Sequence, residues 1–174
     1  TAIGYQALVN EGSGTNNVAV GHTTMLSANG SDKNVAVGHG AQYSTTTGEA
    51  NVSIGYSAGN VITSGYDNVC VGAWCGDEIT TGYENTFIGN KTGTDTYGTT
   101  TGSRNICIGK LTSCSAGGAT DYQIVLGYNV RGNGSRQVVF GDGASDLACL
   151  YTGNTWTNPS DIRLKEDIQD EVVG

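Results

Sequence analysis

One short unit returns along this chain at a fixed interval, and that interval dictates what the chain can become. An amide residue is followed by three residues dominated by β-branched and small apolar types, then by glycine. Asn17-Val18-Ala19-Val20-Gly21, Asn51-Val52-Ser53-Ile54-Gly55 and Gln137-Val138-Val139-Phe140-Gly141 are three of the copies. The anchoring glycines are Gly4, Gly21, Gly38, Gly55, Gly72, Gly89, Gly109, Gly127 and Gly141; five successive intervals are 17 residues and the remainder are 20, 18 and 14. A short, constant period marks a repeat architecture in which each unit stacks on its neighbours.

Val and Ile favour extended backbone, and glycine ends each run with a permissive residue. Three residues ahead of most of the amides stands another glycine, as at Gly14, Gly48, Gly65, Gly82 and Gly102, which supplies a turn. Gly-x-x-Ala follows several strands, as in Gly38 to Ala41 and Gly55 to Ala58, and suggests a tight corner with a second short strand. The expected fold is all-β: a parallel solenoid of about nine short coils, its strands stacked ~4.8 Å apart. Asn17, Asn34, Asn51, Asn68, Asn85, Asn105, Gln123 and Gln137 then fall in one column, where stacked amides form a structural ladder.

The expected strand is apolar on both faces. The flanking positions, such as Val18, Val20, Val35, Val37, Val52, Ile54, Ile106 and Ile108, are assigned to the coil interior. The middle row of Ala19, Ala36, Ser53, Cys70, Phe87, Cys107, Val125 and Val139 then points outward. A parallel sheet apolar on both sides is covered on both sides. A thin coil has no second layer of its own, so the cover is expected from further copies of the chain, with a closed ring of three as the simplest arrangement.

Composition removes several classes. The 174 residues carry a formal charge of −8, with eight Lys and Arg in total, which is a poor match to nucleic acid. No apolar run approaches the length of a membrane span, and no basic-then-apolar leader opens the chain. The sequence starts in mid-pattern and is expected to be a piece of a longer protein. The five cysteines are odd in number and lack a CxxC pair. They read as small buried residues with free thiols, consistent with assembly inside a cell.

The strand-glycine unit followed by Gly-x-x-Ala resembles the head repeat of YadA-like trimeric adhesins, the haemagglutinin or invasin repeat, over about residues 1–145. That resemblance implies a left-handed parallel β-roll with three chains side by side. The 17-residue coils have longer turns than the family's shorter repeat, and the Gly127 to Gly141 interval fits directly.

Residues 146–159 read as a connector, with strands expected around Leu147 to Tyr151 and Thr155 to Thr157. The last fourteen residues hold seven charges and follow Pro159. Ser160-Asp161-Ile162-Arg163-Leu164-Lys165-Glu166-Asp167-Ile168 resembles the opening of the endosialidase-type intramolecular chaperone of phage tail spikes and fibres. The resemblance implies that residues 160–174 begin a chaperone domain, with a short helix as one option, that assists trimerisation and then cuts itself off beside the Ser of the Ser160-Asp161 motif. Ser160 would be the nucleophile on a neighbouring backbone carbonyl, and Lys165, if buried and neutral, its base. At most this is a single turnover in the full-length protein, and no enzyme is expected in the chain itself. A helix cap at Ser160 or Asp161 is the plain alternative.

Tyr66, Tyr83 and Trp74 are the candidate binding residues, since aromatic faces stack on sugars and favour interfaces. His22 and His39, one period apart, read as a surface column rather than a metal site, and Asp142 and Asp146 lack a calcium repeat. No metal and no cofactor are expected. The expected role is a structural and host-recognition segment of a trimeric phage tail fibre or spike, located in the virion tail and assembled in the host cytoplasm. Its partners are two further copies of itself and a host-surface glycan or protein, with no nucleic acid and no membrane insertion. A bacterial trimeric adhesin head on the outer surface and a self-processing Ser/Lys peptidase are the alternatives.

Overall fold

The computed structural model describes residues 1–94, 101–114, 120–150 and 156–157. It is an all-β parallel solenoid. Nine strands stack in chain order: β1 (Ala2–Ile3), β2 (Val18–Val20), β3 (Val35–Val37), β4 (Val52–Ile54), β5 (Val69–Val71), β6 (Thr86–Ile88), β7 (Ile106–Ile108), β8 (Gln123–Gly127) and β9 (Gln137–Gly141). Each pairs in parallel with the next, so they bound eight turns of the coil. Register follows the repeat: Ala19 lies beside Ala36, Ser53 beside Cys70, and Phe87 beside Cys107. The last of these pairs is 20 residues apart and Val125–Val139 is 14, yet neither shifts the strands. Length changes are therefore absorbed between the strands. β10 (Leu147–Leu150) turns back antiparallel on β9, and β11 (Trp156–Thr157) pairs antiparallel with β10, closing the parallel stack. Both fall in the connector, where strands were expected. Residues 160–174, with Ser160, Asp161 and Lys165, lie outside the described residues.

The faces of the strand are the reverse of the sequence-based expectation. The middle row points inward: Ala19, Ala36, Ser53, Cys70, Phe87, Cys107 and Val125 have no exposed surface, and Val139 has almost none. The flanking aliphatics point outward and are half-buried or exposed, with Ile54, Ile88 and Ile108 each near 40%. The reason is size. A coil this short encloses a narrow interior: small side chains fill the strand side of it from β2 to β5, and the larger Phe87, Val125 and Val139 enter only in later coils. The opposite wall adds Met25, Ala28, Ala41, Ile62 and Ile79. Phe87, the one large inward strand residue, sits where Gly93 leaves room: a Cβ there would come 2.5 Å from its ring.

The expected second strand is not formed among the described residues. After each anchor glycine the chain runs in stacked turns whose residues alternate into the left-handed region, as at Thr23 (φ 52°) and Met25 (φ 51°). Rung-like backbone bonds still link the coils there, including Thr23 N–H to Tyr5 O at 2.8 Å and Met25 N–H to Ala41 O at 3.0 Å. The anchor position admits only glycine. Gly55 has φ +141°, and a Cβ on it would lie 2.4 Å from the carbonyl oxygen of Gly72 in the next coil.

Candidate functional site

The amide column is buried and fully engaged through its central members. Asn68 Nδ2 donates to Gly82 O at 2.8 Å and to Asn51 Oδ1 at 3.0 Å. Its own Oδ1 accepts from Asn85 N–H at 3.1 Å and Asn85 Nδ2 at 2.9 Å. The same pattern links Asn17, Asn34, Asn51, Asn85 and Asn105, and Asn105 Oδ1 passes it to Gln123 N–H at 3.0 Å. Gln137, at the far end, accepts from Asn133 N–H through Oε1. The residue before each amide is left-handed whatever its type: Lys33, Ala50, Asp67, Glu84, Arg104 and Tyr122 have φ between 53° and 60°. Such conformations cost ~1–2 kcal/mol each for a residue with a Cβ, and the column of buried hydrogen bonds offsets that cost. Every polar arm of the central asparagines is thus turned into the wall, which leaves them no capacity for a ligand.

The outward strand face is a continuous apolar strip. Sixteen side chains from β2 to β9 point out of the coil in two columns, and all are aliphatic or aromatic except Thr86. Eight strands of three residues make a strip of roughly 40 by 10 Å, or ~400 Å² in projection. That is the scale at which a contiguous apolar patch marks an interaction site.

Rings flank the strip at both ends of the strands. After the strands, Tyr5, His22, His39, Tyr56 and Trp74 form a continuous ladder with centroids 4.8–5.2 Å apart, the last contact edge-on. Lys91 Nζ lies over the Trp74 ring at 5.5 Å. The two imidazoles stack face to face at 8°, so their ring nitrogens lie in parallel planes and do not converge. No group of three or more metal-ligating side chains occurs among the described residues. Before the strands, Tyr66 stacks on Tyr83 at 4.8 Å and 5°. Arg104 lies between Tyr83 and Tyr122, bonded to Glu84 Oε2 at 2.7 Å and Tyr122 Oη at 3.0 Å. The Glu84 carboxylate holds the Arg104 guanidinium further toward its charged form. Tyr66 and Tyr83 are therefore brought together, and Trp74 is placed on the opposite edge.

Several other ionisable and sulfur groups lie in local contacts of the coil. Asp142 accepts from Ala144 and Ser145 N–H at 3.0 Å, which lowers its carboxyl below the usual range, and Asp146 accepts from Gly143 N–H. These carboxylates close the turn between β9 and β10. Asp77 is half-buried, and its carboxyl is pushed up to about 6 by desolvation and by the neighbouring Glu78 charge. Cys107 and Cys114 are joined as a disulfide, where the sequence suggested lone thiols. Cys70 and Cys75 are free and buried, and hydrogen bonding between them together with burial raises the Cys70 thiol.

The sequence marked Tyr66 and Tyr83 by their shared turn position, but it gave no sign of Arg104 as their partner, because that column changes residue type from coil to coil. Comparison with family models, with curated protein sequences and with solved structures finds no match.

Proposed function

We propose that the chain is a rigid segment of a trimeric phage tail fibre or tail spike, a YadA-like left-handed roll that spaces or forms a host-recognition surface. The observation that carries this reading is the outward aliphatic strip. A single copy leaves fifteen apolar side chains half-wetted along one face, and the described residues form no second layer over them. Two further copies, each presenting the same strip, would cover it around a common axis. A bonded amide column and closely stacked coils supply the stiffness a fibre needs.

The Ser160-Asp161 run supports the viral reading over a bacterial adhesin head. In the full-length protein the following domain would assist trimerisation and then be released by attack of Ser160 on an adjacent backbone carbonyl, with Lys165 as base. Sedimentation equilibrium tests the assembly: three copies of a 17.9 kDa chain give about 54 kDa, while a folded species of one-copy mass overturns the reading. The cleavage has its own test. A chain extended through the whole C-terminal domain should run as a shortened product on a denaturing gel, and Ser160→Ala should run intact; equal lengths would remove the chaperone from the account.

A further inference from the structure

A groove of about 500 Å³ runs along the turn edge, lined chiefly by Lys33, Thr47, Glu49, Ser64, Tyr66 and Asp67. Its volume falls within the ~300–1,000 Å³ of small-ligand sites. Three successive coils contribute to it: Lys33 from one, Thr47 and Glu49 from the next, Ser64, Tyr66 and Asp67 from the third. Tyr83 covers one face of Tyr66, and Tyr66, but not Tyr83, lines the groove. Tyr66 is the last ring of its stack, because Glu49 holds the same turn position one coil earlier. It is 41% exposed, and the other five side chains are exposed too.

We infer that this groove binds a neutral hexopyranose unit of a surface glycan, with the sugar's C–H face on Tyr66. The inference rests on the reading of the chain as a host-recognition segment and names the ligand of one site on it. An aromatic face offers the apolar platform that a pyranose ring needs. The Glu49 and Asp67 carboxylates make no side-chain hydrogen bond or ion pair among the described residues, so both can accept from sugar hydroxyls. Lys33, Thr47 and Ser64 supply donors. The mixture of signs selects the charge class. Two carboxylates repel an acidic sugar, the Lys33 ammonium offsets part of their pull on a cationic one, and a polyol meets donors and acceptors alike. The floor is also held in advance. Asp67 N–H donates to Glu49 O at 3.1 Å, Ala50 N–H to Asp32 O at 2.9 Å, and Tyr83 buttresses the ring from behind. Little ordering is left to be done on binding, which favours affinity.

The test is an array of neutral, amino and sialylated oligosaccharides probed with the purified chain in its assembled form. The strongest neutral hit is then titrated against wild type, Tyr66→Ala, Tyr66→Phe, Glu49→Gln and Trp74→Ala. Neutral hexose oligosaccharides should bind. Tyr66→Ala should weaken the hit about tenfold or more, Glu49→Gln should weaken it by several-fold, and Tyr66→Phe and Trp74→Ala should leave it near wild type. Thermal unfolding of each variant verifies that the coil is intact. Binding only to sialylated or amino sugars, no binding at all, or an unchanged titration for Tyr66→Ala each overturns the inference. A trimer that binds no neutral glycan sinks the groove and leaves the fibre reading standing; a folded single-copy species sinks the fibre reading itself.

Discussion

Replacing Asn68 by Ala removes the middle of the amide column without touching the apolar interior. In the folded chain Asn68 makes four side-chain hydrogen bonds. Two of its partners keep another bond: Asn51 Oδ1 still accepts from the residue 68 N–H, and Asn85 Nδ2 still donates to Gly102 O. Gly82 O and Asn85 N–H are left with no partner in a buried wall. Each stranded group costs ~1–3 kcal/mol, so a loss of about 3 kcal/mol or more is expected. In a chain of this size ~1 kcal/mol corresponds to ~2–4 °C, which gives a fall of about 6–12 °C in Tm. Thermal unfolding followed by circular dichroism measures it, at one protein concentration, because assembly makes Tm concentration-dependent. A Tm within about 1 °C of wild type would refute the reasoning, since the column would then be solvated or redundant.

Gly55→Ala should block folding rather than weaken it, because its Cβ would overlap the next coil's backbone; the variant should be insoluble or lack β-sheet circular dichroism, and a soluble chain with a wild-type spectrum would contradict the packing. Asp77 carries a carboxyl raised from its ordinary value to about 6. Its protonated form is favoured by folding, so this contribution to stability is complete below about pH 4 and is lost as pH rises through about 6. Asp77→Asn should therefore raise Tm at pH 8 and change it little at pH 4, and the opposite order would contradict the assignment. Alkylation of the denatured, unreduced chain should modify Cys70 and Cys75 and spare Cys107 and Cys114, as read by peptide mass. Labelling of all four would show that the disulfide is not formed.

The period and the anchor glycines were legible from the residues, because a backbone that must pass within van der Waals contact of the next coil tolerates only Gly at that point. The amide column was legible for the same reason: a fixed interval puts like residues above one another. The facing of the strand was misread. Val and Ile carry more apolar surface than Ala, Ser and Cys, and the ordinary rule sends the larger ones inside. In a coil this narrow volume decides instead from β2 to β5, where the small middle residue is the inward one, and Phe87, Val125 and Val139 keep the same facing in later coils. The left-handed turn residues were invisible, since Ala50, Glu84 and Tyr122 share a conformation that their side chains do not favour. Of the candidate site, the paired tyrosines could be read from their interval. The groove could not, because Lys33, Glu49 and Asp67 meet only when three coils are stacked.

The account depends on the aliphatic strip being the surface through which copies meet, and a charge placed there tests it most directly. Native mass spectrometry should find three copies for wild type and a single copy, or loss to aggregate, for Val71→Glu/Ile88→Glu. Both side chains point outward from adjacent strands, so the coil interior is left unchanged. A double variant that keeps the wild-type copy number, or a wild type that is already a single folded chain, would contradict it.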